Sequence, residues 1–292
     1  MHGIAEASAA ISAVNALPTG VGAAIAISLG VRATASVAPA GTGPGRIDAP
    51  DPPGRPLIAA TVRRVLDTAP TGPWRVEIAI DSSIPVGRGL KSSSAVAGAA
   101  ACATASALGL CRSREEIASL TATVAREIGQ SATGALDDAA ACLIGGGIVA
   151  DNRAGRLLRH FEVPADLGVV LWIPPGTHPP SPSLRDRFDG GSAPARAAVE
   201  AARVGDWAQA IRHNTAAVEE AMGYAYARLH REAAELGAVA SGVSGVGPTV
   251  AIVAPRERLA PIADRLRAHG PEGTTVRIAK FLRRRSGEAG GT

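Results

Sequence analysis

Aromatic residues make up only 3% of this 292-residue chain. A core must therefore be assembled from Ala, Val, Leu and Ile, with elements approaching closely. Cysteine is scarcer still, with three residues. Cys102, Cys111 and Cys142 are odd in number and contain no Cys-x-x-Cys pair, which argues against a disulfide framework or a zinc site. They fit a reducing cytoplasm and are expected as small core or near-surface residues. Charged residues, at 19%, fall below the usual share of about a quarter, while 46% of the chain is apolar, so widespread disorder is excluded. The formal charge of +4 is mild, enough to help draw in an anion but not to argue for nucleic acid. The one dense basic run, Arg283-Arg284-Arg285, reads as a solvated end. No Lys or Arg precedes Arg32, so the positive n-region of a signal peptide is missing, and Ser8, Ser12, Asn15 and Pro18 interrupt the apolar stretch a membrane span would need. A cytoplasmic protein without membrane or nucleic-acid partners is expected. No 20–50-residue repeat is present, and oligomeric state is not readable.

The remaining pattern mixes helices and strands in no regular βαβ order, which predicts an α+β fold. Strands are expected over 23–37, 74–80, 148–150, 168–173, 249–253 and 274–282, where β-branched residues cluster or alternate. Helices are expected over 57–66, from the serines after Lys91 to about Leu108, from Ser113 to about Ile128, and over 259–269, with two more between Pro194 and Leu236. Ser113 and Glu116 have the spacing of a capping box. Residues 15–22, 39–56 and 174–182 are rich in breakers and read as loops. The polar stretch 151–160 marks a boundary, giving domains 1–155 and 156–292.

Three segments carry chemistry. In Ile84-Pro-Val-Gly-Arg-Gly-Leu-Lys-Ser-Ser-Ser-Ala95, Gly87 and Gly89 permit backbone torsions closed to other residues. Backbone N–H groups can then converge on one anion, helped by the next helix N-terminus, the charge of Lys91 and the hydroxyls of Ser92, Ser93 and Ser94. The spacing is that of neither a P-loop nor a dinucleotide fingerprint, and a plain serine cap after a glycine turn is the simpler alternative. In Thr133-Gly-Ala-Leu-Asp-Asp138, two adjacent carboxylates lie in an apolar stretch, where an unpartnered carboxylate is costly. They face a ligand, metal or cation, or else cap a helix. Glu127 is a third carboxylate nearby, and a serine with a carboxylate makes a reasonable Mg²⁺ pair. Ser241-Gly-Val-Ser-Gly-Val-Gly-Pro-Thr249 is a second glycine-rich loop before a strand.

Pro85-x-Gly87-Arg88-Gly89-Leu90-Lys91-Ser92-Ser93-Ser94-Ala95 resembles the phosphate-binding motif of the GHMP kinases, the superfamily of galactokinase, homoserine kinase and mevalonate kinase. Thr133-Gly134-x-x-Asp137-Asp138-Ala139 resembles the segment carrying the catalytic aspartate, and Ser241-Gly-x-Ser244-Gly245-x-Gly247-Pro248 the C-terminal glycine motif. The order is right and the likeness spans nearly the whole chain. Lys91 departs from the general motif but agrees with the archaeal-type shikimate kinase branch, as does Asn15-Ala-Leu-Pro-Thr-Gly-Val-Gly22. The resemblance implies a two-domain fold with the active site between the halves. It also implies ATP phosphates on residues 85–95, Mg²⁺ on Ser93 and Glu127, and Asp137 as general base with Asp138 as its rival. Asn15, Thr133, Gly134, Asp138, Ser244, Gly245 and Gly247 would then serve the acceptor, shikimate, whose carboxylate needs a cation such as Arg32, Arg88 or an arginine of the C-terminal half. Homoserine kinase and a non-catalytic metabolite sensor are the alternatives. Trp207 is expected in the core and His178 in solvent, while the helix from Gly205 to Asn214, which resembles the family's, could bring His213 with Asn214 to face the site.

Overall fold

The computed structural model describes residues 1–50, 55–69, 72–177, 182–188, 192–268 and 270–285. Its organising element is β2 (Val21–Pro39), a 19-residue strand that pairs on one side with β1 (His2–Val14). Its other side is shared by β4 (Trp74–Ser82) along 31–39 and by β5 (Gly147–Asp151) along 21–25, all antiparallel. Short β3 (Arg46–Asp48) adds to β4 in parallel, and β6 (Arg156–Phe161) adds to β5. A second sheet runs β10 (Thr275–Lys280), β7 (Leu167–Ile173), β9 (Val250–Pro255), β8 (Ala240–Val243). Among the described residues no helix is long and apolar enough to cross a membrane.

Small side chains shape the first half. α3 (Ser92–Ala107) is nearly all Ala, Ser and Gly and is buried around most of its circumference. That suits a helix enclosed by other elements rather than lying on a surface. It packs against β1 so tightly that a Cβ on Gly3 would sit 2.1 Å from the Ala103 carbonyl oxygen. α2 (Arg55–Leu66) and α4 (Arg114–Glu127) flank it, and α5 (Leu136–Ile144) lies against β1 and β2. The capping box forms as expected: Ser113 Oγ accepts from the Glu116 amide, and the Glu116 carboxylate accepts from the Ser113 amide at 2.7 Å.

In β7 successive residues divide between two cores, as the two-residue period of a strand requires. Val169, Leu171 and Ile173 join the main core with Ala198 and Ile211, whereas Val170 and Trp172 face Ile262 and Leu266. The main core thus runs through both halves. Three helices, not two, fill 193–235: α6 (Ala193–Val204), α7 (Trp207–Met222) and α8 (Ala227–Glu235). Left-handed Gly205 and Gly223 end the first two. α9 (Arg256–Arg267) covers the outer face of the second sheet.

Other elements differ from the sequence reading. Residues 2–14 form a strand although alanine hides its alternation, residues 15–22 hold a one-turn helix α1 (Ala16–Thr19), and residues 46–48 pair within an expected loop. Pro182–Arg187 is a 3₁₀ turn, and His178 lies outside the described residues. The polar stretch 151–160 is no boundary but the β5–β6 hairpin, whose arginines face outward while Leu157, Leu158 and Phe161 pack on the core. The chain enters the second sheet at Leu167. Cys142 is buried, Cys102 half-buried and Cys111 exposed. Trp207 is half-buried at the edge of the main core.

The last described residues return to the first half. Leu282 donates to the Ala26 carbonyl and accepts from Gly146 N, Arg285 N donates to the Ile144 carbonyl, and Arg284 N donates to the Glu162 carboxylate. The basic run is therefore a strap across the α5–β5 turn rather than a free end. At ~1 kcal/mol per bond, truncation after Phe281 should lower unfolding free energy by about 2–4 kcal/mol. Urea denaturation checks this, and an unchanged midpoint would contradict the strap.

Candidate active site

The segment 84–91 leaves β4 and turns through Gly87 and Gly89, both at positive φ, into α3. Lys91, the residue preceding that helix, is itself left-handed at φ 65, a conformation costing a non-glycine residue about 1 kcal/mol or more. It makes no side-chain cap, so the first amides of α3 lack the usual partner. Ser92, Ser93 and Ser94 line a cleft of about 480 Å³ at this helix end. The arrangement is a polar cradle of backbone N–H groups and hydroxyls, suited to an oxyanion.

α5 opens on the same cleft from another non-glycine left-handed residue, Ala135 at φ 55. Its first turn carries Asp137 and Asp138. Asn152 organises this turn: its Oδ1 accepts from the amides of Leu136, at 2.6 Å, and Asp137, while its Nδ2 donates to Asp137 Oδ1 at 2.9 Å. Asp137 is only 3% exposed, and burial, reinforced by the charge of Asp138, pushes its carboxyl up to about 7 against the opposing pull of Lys91 and Asn152. Gly22 makes the room, since a Cβ there would lie 2.3 Å from Asp137 Oδ2. Asp138 Oδ1 is buried and lies 3.1 Å from Lys91 Nζ, a contact without hydrogen-bond alignment that leaves acceptor capacity on the carboxylate.

The second glycine loop, between β8 and β9, closes the cleft from the other half. Ser12 on β1 joins them: its Oγ accepts from Lys91 Nζ at 2.7 Å and from Gly245 N at 2.9 Å. Ser244 Oγ accepts from Ser12 N and donates to the Gly89 carbonyl at 2.7 Å. A Cβ on Gly89 would meet the Ser244 carbonyl oxygen at 2.0 Å, so the two loops touch backbone to backbone. Asn15 caps α1 through its Oδ1 and donates to the Gly245 carbonyl, while its amide donates to Asn214 Oδ1 at 2.6 Å.

Two family descriptions match this chain: GHMP kinases N terminal domain over residues 56–146 and GHMP kinases C terminal over residues 195–272. The shikimate kinase of Halobacterium salinarum is 33% identical over 91% of this chain and 93% of its own length. That of Thermococcus kodakarensis is 37% identical over 84% and 90%. The chain belongs to the GHMP kinases. Solved GHMP folds agree. The homoserine kinase from Cytophaga hutchinsonii superposes with a TM-score of 0.77 at 18% identity, covering 97% of this chain and 96% of that one. The Methanococcus jannaschii mevalonate kinase reaches 0.72 at 14% identity, covering 96% and 98%. The two-domain α+β architecture is thus that of this kinase family.

Within this GHMP kinase, the cleft gathers most of the expected residues. Gly87 to Ser94, Asn15, Thr133, Gly134, Asp137, Asp138 and Gly245 all line it. Pro85 and Ala95 do not, and Ala95 is core. Ser244 is fully buried and supports Gly89, and Gly247 lies against Tyr224, so neither forms the wall. Glu127 stands apart from the expected set. It lies outside the cleft, half-exposed, in an ion pair with Arg64 of α2, because the last turn of α4 points it outward. Arg32 is exposed on β2 opposite Glu6 and Asp81 and takes no part. Asn214, not His213, reaches toward the site. Ser12, Gly22 and Asn152 had no motif to mark them, although Ser12 is conspicuous as a hydroxyl inside an apolar strand.

The loop contact is testable. Gly89→Ala demands both a strained φ near 79 and displacement of the Ser244 carbonyl. Nucleotide affinity should fall by at least about tenfold, or about 1.4 kcal/mol, by calorimetric titration. Wild-type affinity would show that the loops need not meet.

Proposed function

We propose that this chain transfers the γ-phosphoryl group of ATP to the 3-hydroxyl of shikimate, giving shikimate 3-phosphate and ADP. The observation that carries this reading is the likeness, over 84–91% of the chain, to shikimate kinases at 33–37% identity. Homoserine kinase is the weaker reading, because that likeness stands at 18% identity and concerns the fold alone. A non-catalytic sensor is disfavoured by the convergence of Lys91, Ser93 and Asp137 on one cleft.

Phosphoryl transfer asks a protein mainly to position groups and neutralise charge. In our reading the amides of 87–94 and the hydroxyls of Ser92–Ser94 hold the ATP phosphates, with Lys91 adding charge. The acceptor hydroxyl lies between them and α5. Its oxygen bonds to the γ-phosphorus as the bond to the β–γ bridging oxygen breaks, and the electron pair leaves with ADP. Asp137 takes the hydroxyl proton. A carboxyl raised to about 7 is matched to that task, since a general base works best with a pKa near the working pH. Asp138 is instead engaged with Lys91 and holds that ammonium in place. Mg²⁺ fits the oxygen donors present, Ser93 with Asp138, because it takes few protein ligands; Glu127 is not among them. When bound, it neutralises charge between the β- and γ-phosphates.

Asp137→Asn tests the base. Turnover of shikimate in a coupled ADP-release assay should fall on the order of 10²–10⁴-fold. Wild-type kcat should rise as pH increases through about 7, because the base acts only when ionised, and the variant should lose that limb. Stability runs the other way. The native state holds the Asp137 proton more tightly than the unfolded chain, so stability is lost as pH rises from 3.8 through about 7. The variant should therefore melt above wild type at pH 8. Undiminished turnover in Asp137→Asn would move the base to Asp138 or remove it.

A further inference from the structure

Three cations line the cleft, and the structure distinguishes them. Lys91 is engaged with Asp138 and Ser12. Arg88 belongs to the phosphate loop and donates to the Pro174 carbonyl. The guanidinium of Arg126, on the last turn of α4, has no hydrogen bond or ion pair among the described residues. Its guanidinium lies along the loop that leads into α5: a Cβ on Gly134 would stand 3.4 Å from Arg126 Nη2. Gln130, four residues further on, lines the same wall, and its Oε1 is buried without a donor. The wall formed by α4 and the 129–135 loop thus offers an unpaired guanidinium and an unpaired acceptor beside the paired carboxylates of α5.

We infer that this wall is the acceptor subsite, with Arg126 binding the substrate carboxylate and Gln130 accepting from a ring hydroxyl. The inference rests on the shikimate kinase reading and names its specificity-determining residue. A free carboxylate brought into a partly desolvated cleft needs a cation, and a guanidinium meets it with two parallel N–H donors. Arg88 and Lys91 stand at the phosphate loop, where the nucleotide already brings several negative charges. Arg126 is the cation left for the acceptor. Gln130 adds the polar complement of a hydroxylated acid: a buried acceptor that stays unsatisfied until a donor arrives.

The test compares wild type, Arg126→Met and Arg126→Lys on shikimate and on shikimate methyl ester, with ATP varied separately. Wild type should prefer the acid. In Arg126→Met, KM for shikimate should rise on the order of 10–100-fold, the range for a charge-assisted contact. KM for ATP should stay within about twofold, and activity on the ester should fall far less than activity on the acid. Arg126→Lys should recover part of the preference, since it keeps charge but not the planar fork. Equal losses on acid and ester, or a rise in KM for ATP in place of shikimate, would overturn the assignment and make Arg126 a phosphate contact. Turnover of homoserine but not shikimate by wild type would instead defeat the functional reading, and this assignment with it.

Discussion

The buried ion pair between Lys91 and Asp138 is the contact on which the site depends. The side chains are 8% and 18% exposed, and a second carboxylate, Asp137, lies beside them with burial nearly complete. Two adjacent carboxylates in so dry a position are unfavourable without a cation, and Lys91 supplies it. Removing one partner of such a pair typically costs about 3–5 kcal/mol, because the other charge is left uncompensated. Lys91 also reaches Ser12, which holds Gly245, so one ammonium joins the phosphate loop, the first strand, the acidic helix and the second glycine loop.

The fold brings these pieces within reach. β2 carries β1, β4 and β5 together, which places the start of α3 beside the start of α5. Both helices begin from non-glycine residues in the left-handed region, the only two such residues among those described. Strain of this kind persists where surrounding contacts over-determine it, and it concentrates at functional sites. Here it turns two helix N-termini toward one volume. An alanine-rich core serves the same end, because β1 and α3 approach closely enough to set Ser12 beneath Lys91.

The site's local pieces were legible in the sequence. The glycine turn before three serines, the adjacent aspartates and the second glycine loop each announce themselves within ten residues. What was hidden is non-local. Asn152 folds back on Asp137 from across α5, Asn214 meets Asn15 from 199 positions away, and Gly22 matters only because Asp137 packs above it. Glu127 lies near the site in sequence, but the rotation of α4 turns it away from the cleft to Arg64. Among fold elements, β1 escaped because alanine carries no strand alternation, and β6 because its arginines made an edge strand resemble a linker.

The central claim is that Lys91, fixed by Asp138 and Ser12, is the cation that receives the nucleotide phosphates. Calorimetric titration of ATP into Lys91→Met and Asp138→Asn tests it most directly. Lys91→Met should weaken nucleotide binding by at least about tenfold, and Asp138→Asn, which keeps the ammonium on Ser12 but loosens its anchor, should weaken it by less. Wild-type affinity in Lys91→Met would contradict the account and leave the pair as a purely structural bridge.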